Sequence, residues 1–359
     1  MKNKIINLTQ DLISIPSWVD NQTNEIKINQ FIFNYLKQNS QLTVIKQQVN
    51  KDRFNILASN STKIQTLIIG HTDTVGINQG WTTDPIKPII KNGKLFGRGA
   101  TDMKSGLAAM ILLACQKKLP DNLGFLFYVD EEYNFVGIKK FINDFGTKIK
   151  PKSIISLDGS ELKIANGCRG LIEISATIGG VSCHAATPQN GINAIEVATK
   201  SVEKLKDYLS QFKNPELGNT TVNLALIQGG KAANVVPDSC QIILDIRPSK
   251  KEINANFIIK QLKLFISQQG GNLIDFQIKF NFGSWLTPKS KLINLGLNFK
   301  EINSSGFIDI QLLWQAFKQP KCLTIGAGTQ GTAHTSNEYV EIKKLIQLET
   351  VLSDIIKKI

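Results

Sequence analysis

The chain has few histidines, no paired cysteines and no long apolar run, and each shortage excludes something. Its five cysteines, Cys115, Cys168, Cys183, Cys240 and Cys322, are scattered singly with no C-x-x-C spacing. That pattern excludes a disulfide framework or a cysteine zinc site and fits reduced thiols in a cytoplasm. No stretch approaches the ~18–20 apolar residues of a membrane helix. Thr9, Gln10 and Asp11 interrupt the start of the chain before it could form the apolar core of a signal peptide. Charge of one sign is in excess, 42 Lys+Arg against 29 Asp+Glu for a net +13, yet the basic residues cluster only as pairs such as Lys117-Lys118. Without a basic block, a helix-turn-helix or a Cys/His finger, the charge does not argue for nucleic acid. The expectation is a cytoplasmic protein with neither a membrane nor a nucleic-acid partner. Just three histidines occur, His71, His184 and His334.

What is present bounds the fold. With 359 residues, 42 % hydrophobic and 20 % charged, the chain can bury a substantial core and is long enough for two domains. Residues 25–38 place Ile28, Phe31, Ile32, Tyr35 and Leu36 on one helical face. Thr66–Gly70 reads as a buried strand ending at His71. Residues 103–117 read as a helix with Asp102 in a capping position. Phe125–Val129 and Ser153–Leu157 are further buried strands, and this alternation predicts a mostly parallel sheet covered by helices. The middle of the chain reads β-α-β-β-α-β: strands at 171–178, 220–227, 240–246 and 273–280, helices at about 195–212 and 252–268. That is the order of a split βαβ, ferredoxin-like unit. Cys322–Ile325 is another buried strand and residues 342–359 an amphipathic helix. The fold class is therefore α/β, a mostly parallel domain (1–167 and 283–359) interrupted by an α+β lid (168–282).

The polar residues that follow these strands form a constellation. His71 with Asp73, Glu131-Glu132 after Asp130, and Asp158 each follow a strand; His334 lies in a glycine-rich loop after the last one, and Asp102 at a helix start. Ligands of open α/β sheets bind beyond the carboxyl ends of the strands. Two histidines with three or more carboxylates there suit zinc, manganese or cobalt, and two metals sharing one carboxylate hold so many ligands more economically than one. Taken singly, each element has a plainer reading: His71 and Asp73 as a surface pair, Glu131-Glu132 as a solvated loop, Asp102 as an N-cap. Glu161 could also stand in for Asp158. Only the joint placement favours a metal centre. Gly326-Ala327-Gly328-Thr329-Gln330-Gly331 fits G-x-G-x-x-G, but no second strand follows to complete a dinucleotide-binding unit. These glycines are expected instead to let the backbone approach the site and deliver His334.

Five motifs in order resemble one family. They are Gly70-His71-Thr72-Asp73-Thr74-Val75, the stretch Leu95 to Gly106, Asp130-Glu131-Glu132, Asp158-Gly159-Ser160, and Ala333-His334-Thr335-Ser336-Asn337-Glu338-Tyr339. Over nearly its whole length the chain is similar to the co-catalytic di-zinc deacylases and peptidases that include acetylornithine deacetylase, succinyl-diaminopimelate desuccinylase, aminoacylase and glutamate carboxypeptidase.

The resemblance implies two divalent metal ions, zinc first and cobalt or manganese as alternatives. His71 and Asp158 would bind one, Glu132 and His334 the other, and Asp102 would join both. Asp73 would orient the His71 imidazole, and Glu131 would serve as general base and then acid. Gly180 to Ala186 resembles the family's lid histidine motif. In relatives that dimerise through the lid, the residue equivalent to His184 reaches the partner's active site and helps stabilise the tetrahedral intermediate. Ala233-Asn234-Val235-Val236-Pro237-Asp238 and Asp245-Ile246-Arg247-Pro248 resemble its substrate-binding stretches. Asn234 is thus a substrate-binding candidate, and Arg247 the candidate clamp for a substrate carboxylate. Gly306-Phe307-Ile308-Asp309-Ile310 departs from the Thr-Asp-Ala-like segment of many relatives, and Asp158 stands where several deacylases have glutamate. The expected activity is metal-dependent cleavage of an N-acyl amino acid by a homodimer. Its alternative is a dipeptidase, tripeptidase or carboxypeptidase acting on short peptides, and its remote rival a non-catalytic binding protein.

Overall fold

The computed structural model describes residues 2–293 and 309–358, which form two compact units. Of the departing segment noted above, Gly306, Phe307 and Ile308 lie outside the described residues. The first unit comprises residues 2–166, 287–293 and 312–358; the second comprises 167–286 and 309–311.

The first unit is built on a six-stranded sheet in the order Thr43–Gln48, Phe54–Ser59, Leu123–Tyr128, Thr66–His71, Ser153–Ser156, Lys321–Thr324. The last four strands run parallel, and the first two are antiparallel additions at one edge. Leu123–Tyr128 is buried along its whole length and Thr66–His71 over all but its first residue. That is why both read as unbroken apolar runs rather than alternating strands. Helix Lys104–Ala114 packs against both of these strands and is itself apolar nearly all round. Helices Lys2–Ile13 and Ile342–Lys357 pack against it through Ile5, Leu12, Leu345 and Leu352, all fully buried. Burial of such a side chain contributes about 1.5–3 kcal/mol. A three-stranded antiparallel sheet, Ile89–Lys91, Lys94–Phe96 and Tyr339–Glu341, ties the end of the chain to the segment preceding Asp102.

The second unit is a four-stranded antiparallel sheet in the order Thr221–Gly229, Ser239–Arg247, Leu171–Gly179, Asn272–Phe282. With helices Ala194–Ser210 and Ala255–Gln268 it follows the β-α-β-β-α-β order of a ferredoxin-like unit. Its core alternates along the two central strands, Ile172, Ile174, Ala176 and Ile178 beside Cys240, Ile242, Leu244 and Ile246. The first helix is capped by Asn193, whose side-chain oxygen accepts the N–H groups of Ile195 and Glu196. The five cysteines are free, and among the described residues no helix is long and apolar enough to cross a membrane.

Candidate metal centre

Four parallel strands end at the same edge of the first unit's sheet, and each delivers a polar side chain there. His71 closes Thr66–His71, Asp130 to Glu132 follow Leu123–Tyr128, Asp158 follows Ser153–Ser156, and the loop leaving Lys321–Thr324 carries His334. The glycines of this last loop bring it against the Asp158 loop: a Cβ on Gly159 would lie 2.6 Å from the Gly326 nitrogen. Glu161 and Leu162 donate their N–H groups to the carbonyls of Gly328 and Gly326 at 2.8 and 2.9 Å. The G-x-G-x-x-G run is therefore a close-packing device, not a dinucleotide turn.

The side chains converge on Asp102. Its Oδ1 lies 3.0 Å from His71 Nε2, and its Oδ2 lies 3.2 Å from His334 Nε2. Glu132 Oε1 is 3.0 Å from the same His334 nitrogen. Two sets of three residues can each surround a cation, His71 with Asp102 and Asp158, and Asp102 with Glu132 and His334; one donor atom from each lies within 4.8 Å of the others. Asp102 belongs to both. A third set, His71 with Glu131 and Glu132, also meets this spacing.

Asp73 fastens this arrangement. Its backbone oxygen lies 3.2 Å from His71 Nδ1, and its carboxylate oxygens accept the N–H groups of Glu131 at 3.1 Å and Glu132 at 2.9 Å. One buried residue thus orients the imidazole through its backbone carbonyl and holds both glutamates through its carboxylate. Asp130 and His334 adopt left-handed conformations, φ 70° and 62°, that non-glycine residues populate only under constraint. For Asp130 the constraint is visible. Its carboxylate accepts from Asn134 and Val136 N–H and pairs with Arg53 at 2.6 Å, and Arg53 also pairs with the fully buried Glu25.

Two readings made from sequence are corrected. Asp102 is not an N-cap: the helix begins at Lys104, its cap position is Met103, and no side chain caps it. The Asp102 carboxylate points instead to the two histidines. Glu161 does not stand in for Asp158, because its carboxylate pairs with Lys344 and accepts the Gln330 N–H. The ligand sets contain Asp158 and not Glu161.

Electrostatics couple both histidines to Asp102. Burial would lower the His71 pKa, but hydrogen bonds to Asp102 and Asp73 outweigh it and hold the imidazole well above its ordinary value. Hydrogen bonds to Asp102 and Glu132 raise His334 to about 10. Burial opposes ionisation of Asp102, yet His334 and His71 beside it keep its carboxyl well below the usual range. Near neutrality two imidazolium protons therefore occupy the space between the carboxylates, where a divalent cation would place its charge. A cation entering must displace those protons, so metal affinity should rise with pH between about 6 and 8. The gain is about tenfold per pH unit for each proton released. Calorimetric titrations in buffers of different ionisation enthalpy would measure that proton release, and a pH-independent affinity would contradict it.

The remaining candidates lie in the second unit. His184 is exposed, with Nδ1 accepting the Ala186 N–H at 3.1 Å. The segment after it pairs with Asn234, whose carbonyl accepts the Ala185 N–H. Arg247 ends strand Ser239–Arg247 and makes a two-point pair with Asp245 at 2.7 and 2.9 Å. Arg169, which sequence reading did not single out, is close enough to Arg247 for the two positive charges to repel and lower the Arg169 pKa, after burial itself.

Residues 67–358 match the model of peptidase family M20/M25/M40. An acetylornithine deacetylase of Buchnera aphidicola subsp. Schizaphis graminum is 29 % identical over 98 % of this chain and 97 % of its own. A succinyl-diaminopimelate desuccinylase of Buchnera aphidicola subsp. Acyrthosiphon pisum is 30 % identical over 88 % and 89 %. In fold, the chain superimposes on a dinuclear metal-binding peptidase of the M20 family from Bacillus subtilis with a TM-score of 0.73, at 16 % identity, covering 100 % of this chain and 99 % of that one. With the family model matched over most of its length, the chain belongs to peptidase family M20/M25/M40, metal-dependent hydrolases of amide and peptide bonds.

Proposed function

We propose that the first unit holds two divalent cations, zinc or in its place cobalt or manganese, and cleaves the acyl-amide bond of an N-acyl amino acid of the acetylornithine or succinyl-diaminopimelate type. The observation that carries this is Asp102, the one side chain common to both ligand sets. The donors fit the metals: carboxylate oxygen and imidazole nitrogen without thiolate suit borderline-to-hard divalent cations at a catalytic rather than a structural site. His71 and Asp158 would hold one cation, Glu132 and His334 the other, and Asp102 both. Bound there, the cations would polarise the scissile carbonyl and acidify a water molecule.

The chain's own residues do the rest. Glu131, its backbone fixed by Asp73, takes a proton from the attacking water and passes it to the departing amine nitrogen. Asp73 keeps the His71 ring in the orientation that presents Nε2. In the second unit, which we assign as a lid, Arg247 would clamp a substrate carboxylate and Asn234 would contact the substrate. Asp245 takes the Nε and Nη2 donors of the guanidinium, so a substrate carboxylate approaching that edge would compete with it.

A peptidase using the same residues on short peptides is the second reading, favoured by the peptidase whose fold this chain shares. A substrate panel distinguishes them. Purified protein should carry about two divalent metals per chain, lose activity to chelators, and prefer acetylated or succinylated amino acids over dipeptides. Preference for dipeptides selects the peptidase, while a metal-free protein indifferent to chelation overturns both readings. Free cysteines fit a cytoplasmic setting for either.

The edge strand Thr221–Gly229 leaves Leu226 and Ile227 exposed at 45 % and 41 %, which supports a homodimer formed through the second unit. If His184 acts in the partner's site, mixing inactive His184→Ala and Glu131→Ala subunits should restore part of the activity. Confirmed mixed dimers without any restoration would count against action across the dimer.

A further inference from the structure

Metal binding accounts for His71, Asp102, Asp158, Glu132 and His334, but not for the most heavily hydrogen-bonded carboxylate nearby. Glu338 is fully buried and lies on the segment that follows His334. Its Oε1 accepts the backbone N–H groups of Thr101 at 2.8 Å and Asp102 at 3.1 Å. Its Oε2 accepts from Gly99 N–H at 3.0 Å and from the Arg98 guanidinium at 2.7 Å. Four donors thus come from five consecutive residues, 98–102, and all converge on one side chain more than 230 residues away.

We propose that Glu338 is a positioning residue that fixes the Asp102 backbone relative to the His334 loop and so sets the geometry of the ligand set these two share with Glu132. The proposal rests on the metal-hydrolase reading and deepens it. The reasoning is geometric. Residues 98–102 form no helix or strand; the N–H groups of Arg98 and Ala100 reach the carbonyls of Pro85 and Gly97, and those of Gly99, Thr101 and Asp102 are satisfied by Glu338. A carboxylate that accepts three of them fixes the turn as a ladder would. Because Glu338 sits four residues beyond His334, the same contacts hold the His334 loop and the Asp102 turn together. Arg98, 2 % exposed, balances the buried charge and continues to Asn78 Oδ1 at 2.8 Å. The Asn78 side chain in turn reaches the His334 carbonyl at 3.4 Å. Asp102 Oδ2 and His334 Nε2, 3.2 Å apart, are thereby linked through a second route that contains no metal ligand other than the two themselves.

Glu338→Gln tests this. The amide is the same size but turns an NH2 group towards N–H donors, so one oxygen's worth of contacts must break. Using the full-length protein and cobalt(II) as the probe, the dissociation constants and the visible spectrum are read by titration against a competing chelator. The expected result is a 10- to 100-fold weaker affinity and an altered cobalt spectrum. Leu36→Ala, a fully buried helix position of the same unit, serves as the control for lost stability. It should bind cobalt as the wild type does. Should Glu338→Gln not fold, Glu338→Asp keeps the charge, shortens the reach and should show the same spectral change with a smaller loss of affinity. Unchanged affinity and spectrum in the folded variants, or an equal loss in Leu36→Ala, overturns the proposal while leaving the hydrolase reading intact. A wild-type protein that binds no cobalt overturns both.

Discussion

Glu131→Ala should lower kcat by about 10²- to 10⁴-fold, the usual contribution of a positioned acid–base group, while the protein keeps its full complement of metal. The argument turns on how two adjacent glutamates divide their work. Glu132 has its oxygen 3.0 Å from His334 Nε2 and belongs to the set that shares Asp102. Asp73 holds both backbones through neighbouring N–H groups, so one fixed turn carries both side chains. A glutamate consumed by a cation cannot also accept a proton, which leaves the role to Glu131. The competing geometry is specific: Glu131 also falls in a set with His71 and Glu132. Metal analysis of the variant separates the two. Retained metal with lost turnover marks Glu131 as the base, and metal lost in step with activity marks it as a ligand. Because the substitution removes a partly exposed side chain and leaves the backbone hydrogen bond to Asp73, the thermal midpoint should change little.

The contrast between Glu131 and Glu338 shows what the sequence could and could not disclose. Strands buried on both faces advertise themselves as apolar runs, and their ends mark where a site must lie. His71, Asp130 to Glu132, Asp158 and His334 were therefore readable from position along the chain. The edge strand Thr43–Gln48 was not, because it carries Lys46, Gln47 and Gln48 and buries only two of its six residues. Helix Lys2–Ile13 buries Ile5, Leu8, Leu12 and Ile13, but the polar residues between them break up the apolar pattern along the sequence. Asp102 before a helix looked like a cap, since local pattern cannot show a side chain turning away to partners 31 and 232 residues distant. Glu338 is, along the chain, one acidic residue among the polar residues that follow His334. Its meaning lies in four donors reached only through tertiary folding, as do the Arg53 pairs with Glu25 and Asp130.

Asp102→Ala should do more damage than any other single substitution at the centre, because it removes the one ligand common to both sets. Each set would retain two donors, too few to hold a divalent cation at a site that keeps a position for substrate. Metal content should fall from about two per chain to less than one, with activity undetectable. Retention of both metals would refute the shared role. The metal-free protein offers an independent check through pH. With its pKa raised from 6.5 to about 10, His334 contributes stability that is fully present below pH 6.5 and lost as pH rises through 10. With its pKa lowered from 3.8, Asp102 contributes stability present above about pH 4 and lost as pH falls further. The two windows overlap between about pH 4 and 6.5, where the carboxylate and both imidazolium groups are charged. Thermal melts of metal-stripped wild type and Asp102→Ala should therefore differ most within that window and converge towards pH 10. A difference that instead grew with pH would mean that the Asp102 carboxylate is not what keeps His71 and His334 protonated.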